Sequence, residues 1–402
     1  MSTDRPDDFD DVPTLRPLPL GGSGDDQLRD DYRDDRPPPP RRKPGFGFWR
    51  GALWAWVYFV ATQVIGAIVL GIPIIGVALI VDAQQNGKGA PNDPAGLNEW
   101  MLGPTGRVAT LTLVVATQFL GLLLSWILLR YWCGREWKRK IALTRLPTWT
   151  HCVLVVIGFP ALIALGAAIE GPIQQYVPSL QDVLNSLGLN IEFEGADKSL
   201  PKLIGPSPWA LAIFAVAISP AICEEVFCRG FLAWGLSGRY VTWAVVLIVS
   251  FLFGCLHGDP QQGVGAMFLG AAIHGAYVAT RSLWVAMFVH FANNGIAVVH
   301  FNQQLSPGVL DPFEQALKNS PVLFIAAGLL LFVAVSCALY QTRCKLVSIE
   351  PGLPPWQPDG VSSQELPPPG SGTIVAHDPI SPMSVALVLT GAVAFGLVMA
   401  FA

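Results

Sequence analysis

Apolar and polar positions alternate along this chain in long blocks. Apolar runs fall at about 52–81, 108–132, 149–169, 208–234, 241–257, 263–280, 283–302, 321–340 and 383–402. Each approaches or exceeds the roughly 17–25 residues a helix needs to cross a hydrocarbon core. The pattern predicts an all-α, polytopic integral membrane helical bundle of about 8–9 transmembrane helices. The run at 263–280 is the weakest, being short, rich in Gly and Ala and interrupted by His274. It also fits a half-buried segment that does not fully span.

Polar stretches divide the chain further. Residues 1–47, with "RDDYRDDRPPPPRRKP" at their densest, hold almost nothing that could form a core and predict a disordered cytoplasmic tail. They are no signal peptide, because the first apolar run begins only near Ala52 and is about twice too long for an h-region. Residues 48–147 are then N-terminal transmembrane helices and a basic loop, 148–345 the main bundle, 346–381 a Pro/Gly/Ser-rich linker, and 382–402 a detached terminal span.

Lys and Arg positions set the expected orientation. Arg41, Arg42, Lys43 and Arg50 precede the first run and "RYWCGREWKRKIALTR" follows the second, which places both on the cytoplasmic side. Strict alternation adds Arg239, Arg281, Arg343 and Lys345 to that side and leaves Asp82, Asp93, Glu99, Glu192, Glu194, Asp197, Asp311 and Glu314 on the other. In the outer loop 171–204, Leu180, Val183, Leu184 and Leu187 share the i, i+3, i+4, i+7 spacing of one helix face. Such a helix fits a packed structural loop, and it also fits a cover lying over a site.

Composition agrees: 52% of residues are hydrophobic and 13% charged, about half the charged share of a soluble domain. The net charge of -4 comes without a basic stripe interleaved with aromatics, which argues against a nucleic-acid partner. The bilayer and a membrane-associated protein or peptide are the expected partners. No CxxC pair occurs among the 7 cysteines, so neither a zinc ribbon nor a redox motif is indicated.

The chemistry lies in "AICEEVFCRGFLAW", residues 221–234, where Glu224, Glu225 and Arg229 interrupt an apolar run. An ionised side chain at mid-membrane costs about 2.5–3.5 kcal/mol on insertion scales, so such residues face protein or a water-filled cavity. Glu225 and Arg229 stand at i and i+4, the spacing for an ion pair on one helix face. Glu224 is turned about 100° away and remains the unpaired carboxylate, a candidate general base. Later runs add His257 in "SFLFGCLHGDP", and His290, Asn293 and Asn294 in "AMFVHFANNGIAVVH". Glu224 with His257 suits water activation, and His290 with Asn294 suits stabilisation of a tetrahedral oxyanion.

"EEVFCR", "FGCLH" and "HFANN" fit E-E-x-x-x-R, F-x-x-x-H and H-x-x-x-N in order. Over roughly residues 150–303 the chain resembles the CPBP family of intramembrane proteases, which includes the type II CAAX prenyl endopeptidases and bacterial bacteriocin-processing or immunity homologues. The resemblance implies a multi-pass protein of a bacterial cell membrane, catalytic Glu224, His257, His290 and Asn294, and supporting Glu225 and Arg229. A glutamate-type mechanism with no required cofactor is the implied chemistry. Zinc held by Glu224, His257 and His290 is the alternative, although the H-E-x-x-H signature is missing.

Depth poses a difficulty for this assembly. Counted from the turn near Ser237, Glu224 lies about 22 Å and His257 about 28 Å along their helices, whereas His290 is only about 12 Å from Arg281. Tilt or a broken helix must absorb the difference.

Competing readings are weaker. "GLSG" at 235–238 matches the rhomboid-type G-x-S-G, but Ser237 falls at a tight turn beside Arg239. "QPDG" at 357–360 matches a fragment of site-2-type metalloproteases without its H-E-x-x-H companion. A transporter, or a non-catalytic immunity or scaffold protein, would use the same buried polar cluster differently. No internal repeat of the transporter kind is evident in the sequence. His274 reads as a packed core histidine, and His151, His300 and His377 lie outside the expected site.

Overall fold

The structure is a computed structural model that describes residues 45–87, 91, 93–189, 196–358 and 364–401. The expected tail lies outside the described residues as far as position 44. Ten helices organise the chain: α1 Phe48–Asn86, α2 Pro104–Cys133, α3 Trp149–Tyr176, α4 Leu180–Ser186, α5 Trp209–Ser237, α6 Thr242–Cys255, α7 Pro260–Thr280, α8 Leu283–Phe301, α9 Pro321–Gln341 and α10 Pro382–Phe401. Among the described residues, all but α4 and α6 belong to segments long and apolar enough to cross a bilayer. The protein is an integral, multi-pass membrane bundle.

The weak run at 263–280 is therefore a full-length helix, because Asp259 caps it by accepting from Gln262 N and Pro260 starts it at N1. The short helix is instead α6, with 14 residues, or about 21 Å of rise. That is shorter than the roughly 30 Å of a hydrocarbon core. The turn that follows carries the partly buried His257 and the exposed Gly258, whose φ of 75 is a left-handed conformation that glycine allows.

The bundle is built around α5, of which every residue from Glu225 to Leu236 is buried. Its α-helical turns open twice into wider π turns, at Phe214–Ile218 and Val226–Leu232. π-Bulges of this kind recur at functional sites because they re-aim side chains along one helix. α2 and α8 pack against α5, α6 lies along α7, and α9 lies between α3 and α10.

Small residues set the closest crossings. A Cβ on Gly254 of α6 would stand 2.5 Å from the Gly263 carbonyl oxygen of α7. The two backbones touch one turn from Phe253 and His257. α10 is not detached: a Cβ on its Gly391 would stand 2.9 Å from Leu331 Cα on α9, and Phe395 packs on Phe313 and Phe324 at 6.1 Å.

The expected linker also carries structure. Lys345–Ser348 (β1) and Thr373–Ala376 (β2) form an antiparallel pair. Near it, Leu366 N donates to Arg139 O, Arg281 Nη1 to Glu365 O, and Cys344 N to Ala279 O. Ser282 Oγ donates to Arg145 O at 2.7 Å. The basic loop after α2, the α7–α8 turn and the segment after α9 thus share one rim of the bundle. Towards the α6–α7 turn, Leu180 N of α4 donates to Asp259 Oδ2 at 3.1 Å, and Gln261 Nε2 donates to Val177 O at 2.9 Å. The amphipathic outer helix is tied beside the turn that bears His257.

Gly254→Val is expected to lower stability by about 1–3 kcal/mol, the usual cost of overpacking, and to lower the melting temperature of detergent-solubilised protein. An unchanged melting temperature would show that α6 and α7 need no such contact.

Candidate active site

α5 supplies the charged residues. Arg229 Nη1 donates to Glu225 Oε1 at 2.7 Å, and both side chains are fully buried. The i, i+4 pair read from the sequence is present, although Arg229 sits on the π turns. Arg229 Nη2 donates to the Gly270 carbonyl of α7 at 2.8 Å. The guanidinium lies over the Phe253 ring of α6, 4.7 Å from its centroid, a cation–π contact strengthened by the absence of water. Gly at 270 is needed there, since a Cβ would fall 3.1 Å from the Phe253 ring and 3.4 Å from Arg229 Nη2.

His290 of α8 joins the same carboxylate, with Nδ1 at 2.8 Å from Glu225 Oε1. An ionised carboxylate only accepts, so Nδ1 carries the proton and Nε2 is the nitrogen His290 can present. Wide π turns over Val226–Leu232, between Glu225 and the rim, shorten that stretch of α5 in the direction that the contact with His290 requires.

Phe253 joins the two imidazoles. Its ring centroid stands 5.0 Å from that of His257 and 5.7 Å from that of His290, both edge to face. His257 Nδ1 lies 3.0 Å from Phe253 O. Since a carbonyl only accepts, Nδ1 donates there and Nε2 is left to face a ligand. The F-x-x-x-H spacing is thus a turn of helix whose carbonyl fixes the imidazole.

Glu224 lies apart from this cluster and is partly exposed. The sequence leaves it without a partner, but the structure supplies one: Gln118 Nε2 of α2 donates to its Oε1 at 2.8 Å. Among the described residues, Glu224 and His257 do not hydrogen-bond each other. Asn294 Nδ2 donates to Val216 O in the first π segment at 2.9 Å, and Asn293 Nδ2 donates to Asn294 Oδ1 at 3.1 Å. Asn294 keeps one amide hydrogen for another acceptor.

Gln118 is the residue that motif reading misses. The available signal was a lone amide in the apolar run "VVATQFLGLLL", since a polar side chain at that depth needs a protein partner. His274 is buried on α7, its ring 5.9 Å from that of Tyr277; it is packed in the core, but its Nδ1 has no hydrogen-bond partner among the described residues, against the expectation of a hydrogen-bonded core histidine. Among the described residues, no group of three His, Cys, Asp or Glu side chains is close enough to hold a metal ion. Glu224, His257 and His290 are accordingly not gathered as a ligand set.

Residues 206–296 match the family model described as type II CAAX prenyl endopeptidase Rce1-like. Glu224, Glu225, Arg229, His257, His290 and Asn294 all fall inside that segment, and Gln118 falls outside it. No curated protein and no solved structure matches the chain.

Arg229→Leu would leave Glu225 buried opposite His290 alone, at an expected cost of about 3–5 kcal/mol. Folded yield after detergent extraction should fall sharply and recover in part in the Glu225→Gln/Arg229→Leu double variant. A well-folded single variant would contradict a structural role for this pair.

Proposed function

Because residues 206–296 belong to the Rce1-like family of type II CAAX prenyl endopeptidases, we propose that this CAAX-type membrane protease hydrolyses a peptide bond of a membrane-proximal protein or peptide with water activated by Glu224. One observation carries the reading. Glu225 pairs through Oε1 with the Arg229 cation and His290 and is sealed from solvent, whereas Glu224 is partly exposed and accepts at Oε1 from the neutral Gln118 amide. Glu224 Oε2 is therefore the oxygen that can take a proton.

In this mechanism a water donates one hydrogen bond to Glu224 Oε2 and the other to His257 Nε2. Glu224 removes a proton as the water oxygen attacks the substrate carbonyl carbon, and the carbonyl oxygen becomes an oxyanion. His290 meets that oxyanion through Nε2. Its donor form is an imidazolium, which the Glu225 carboxylate stabilises across Nδ1. Asn294 offers its remaining amide hydrogen as the second donor. Collapse of the tetrahedral intermediate breaks the C–N bond, and the proton on Glu224 passes to the leaving amine. Atoms and charges balance without a resident metal.

The surroundings support the chemistry. Phe253 is almost wholly buried against His257, His290 and Arg229, and dry walls strengthen every interaction with developing charge. Seating the water-binding turn at the short end of α6 leaves it open to polar ligands while the ion pair stays sealed.

Glu224→Gln is expected to lower hydrolysis of a quenched-fluorescent CAAX peptide, prenylated or plain, by about 10²–10⁴-fold with the melting temperature unchanged. Full activity would overturn the assignment. Chelation by 1,10-phenanthroline, followed by metal analysis of the same sample, should leave activity intact with substoichiometric zinc. Stoichiometric zinc whose removal abolishes turnover would contradict the metal-free mechanism.

A further inference from the structure

We propose that Gln118 of α2, outside the family-matched segment, is a positioning residue for Glu224 and part of the protease site; the inference rests on Glu224 being the base. Gln118 is the polar interruption of a long apolar run, and only 9% of its surface is exposed. It spends its buried amide N–H groups on the one site carboxylate that carries no cationic partner, at 2.8 Å.

The bundle holds that distance from both sides. One turn along α2 from Gln118, a Cβ on Gly121 would stand 2.5 Å from the Tyr58 hydroxyl. The Tyr58 ring of α1 stacks on Phe227 of α5 with centroids 4.0 Å apart and planes at 17°. Tyr58 is thus a wedge between the turn of α2 that follows Gln118 and the turn of α5 that follows Glu224. Gly66 of α1 meets the same helix, where its Cβ would stand 3.2 Å from both Thr117 Cγ2 and Leu120 Cδ2. Glycines on α1 and α2 allow this approach, and the aromatic stack fixes its depth.

A neutral amide does what a cation could not do at this position. A guanidinium or ammonium would hold Glu224 so firmly as a carboxylate that its oxygen would be a poor base. Donation from Gln118 fixes one carboxylate oxygen and leaves Oε2 to accept the proton from water. Gln118 Oε1 is itself buried and has no partner among the described residues. After Glu224 takes up the proton at Oε2, its Oε1 remains a carbonyl acceptor to which Gln118 Nε2 can keep donating. One side chain then serves both protonation states of the base.

The test separates kcat from KM for peptide hydrolysis by the reconstituted full chain, per mole of folded protein. In Gln118→Leu, kcat should fall about 10-fold with KM unchanged and the melting temperature held. Gln118→Asn keeps the amide on a shorter stem and should recover part of that loss, which gives the same readout if the leucine variant fails to fold. Wild-type kcat in both variants would overturn the proposal, as would activity lost only in proportion to folded protein. The underlying reading fails separately, if Glu224→Gln retains hydrolysis.

Discussion

The Glu225 carboxylate, sealed from solvent and shared between Arg229 and His290, is the interaction on which the rest of the site depends. A lone carboxylate or guanidinium at this depth would be expelled or neutralised. Together the three side chains hold each other's charge, and each comes with further contacts from a different helix. Arg229 reaches α7 through the Gly270 carbonyl and α6 through the Phe253 ring. His290 brings α8. Arg229 and His290 meet on one Glu225 oxygen, and through them α5, α6, α7 and α8 are tied to one ion-pair cluster, so misplacing a helix strands a buried charge.

That arrangement separates two adjacent glutamates by role. Helical rotation turns Glu225 into the packed interior and Glu224 toward α2, where the partner is the neutral Gln118. The same backbone thus offers one carboxylate sealed against a cation and one that is partly exposed beside a neutral amide. His257 belongs to the open half of the site because α6 stops short and the chain turns at Gly258.

Much of this was legible in the sequence. The apolar runs located the helices, and the i, i+4 spacing of Glu225 and Arg229 forecast their pair, because both signals are local. Less was legible where tertiary packing decides. Hydropathy ranked 263–280 as the weakest span, since Gly and Ala score low; those small residues instead permit the close contact of α7 with α6. The short helix is α6, whose continuous apolar run concealed the turn before Gly258. The terminal helix looked detached because its docking depends on Gly391 meeting the α9 backbone, a contact without a motif. Likewise, composition read 346–381 as a linker, whereas its strands pair and its backbone caps Arg139 and Arg281. Gln118 escaped because a single amide is unremarkable until its partner across the bundle is known.

The central claim is that Glu224 is the proton acceptor in peptide hydrolysis. It is tested most directly by sequencing new protein termini in membranes of host cells that carry either the natural chain or Glu224→Gln at equal abundance. The account predicts a small set of cleaved, membrane-proximal termini present with the natural chain and missing with the variant. Identical sets of termini in the two membranes would contradict it.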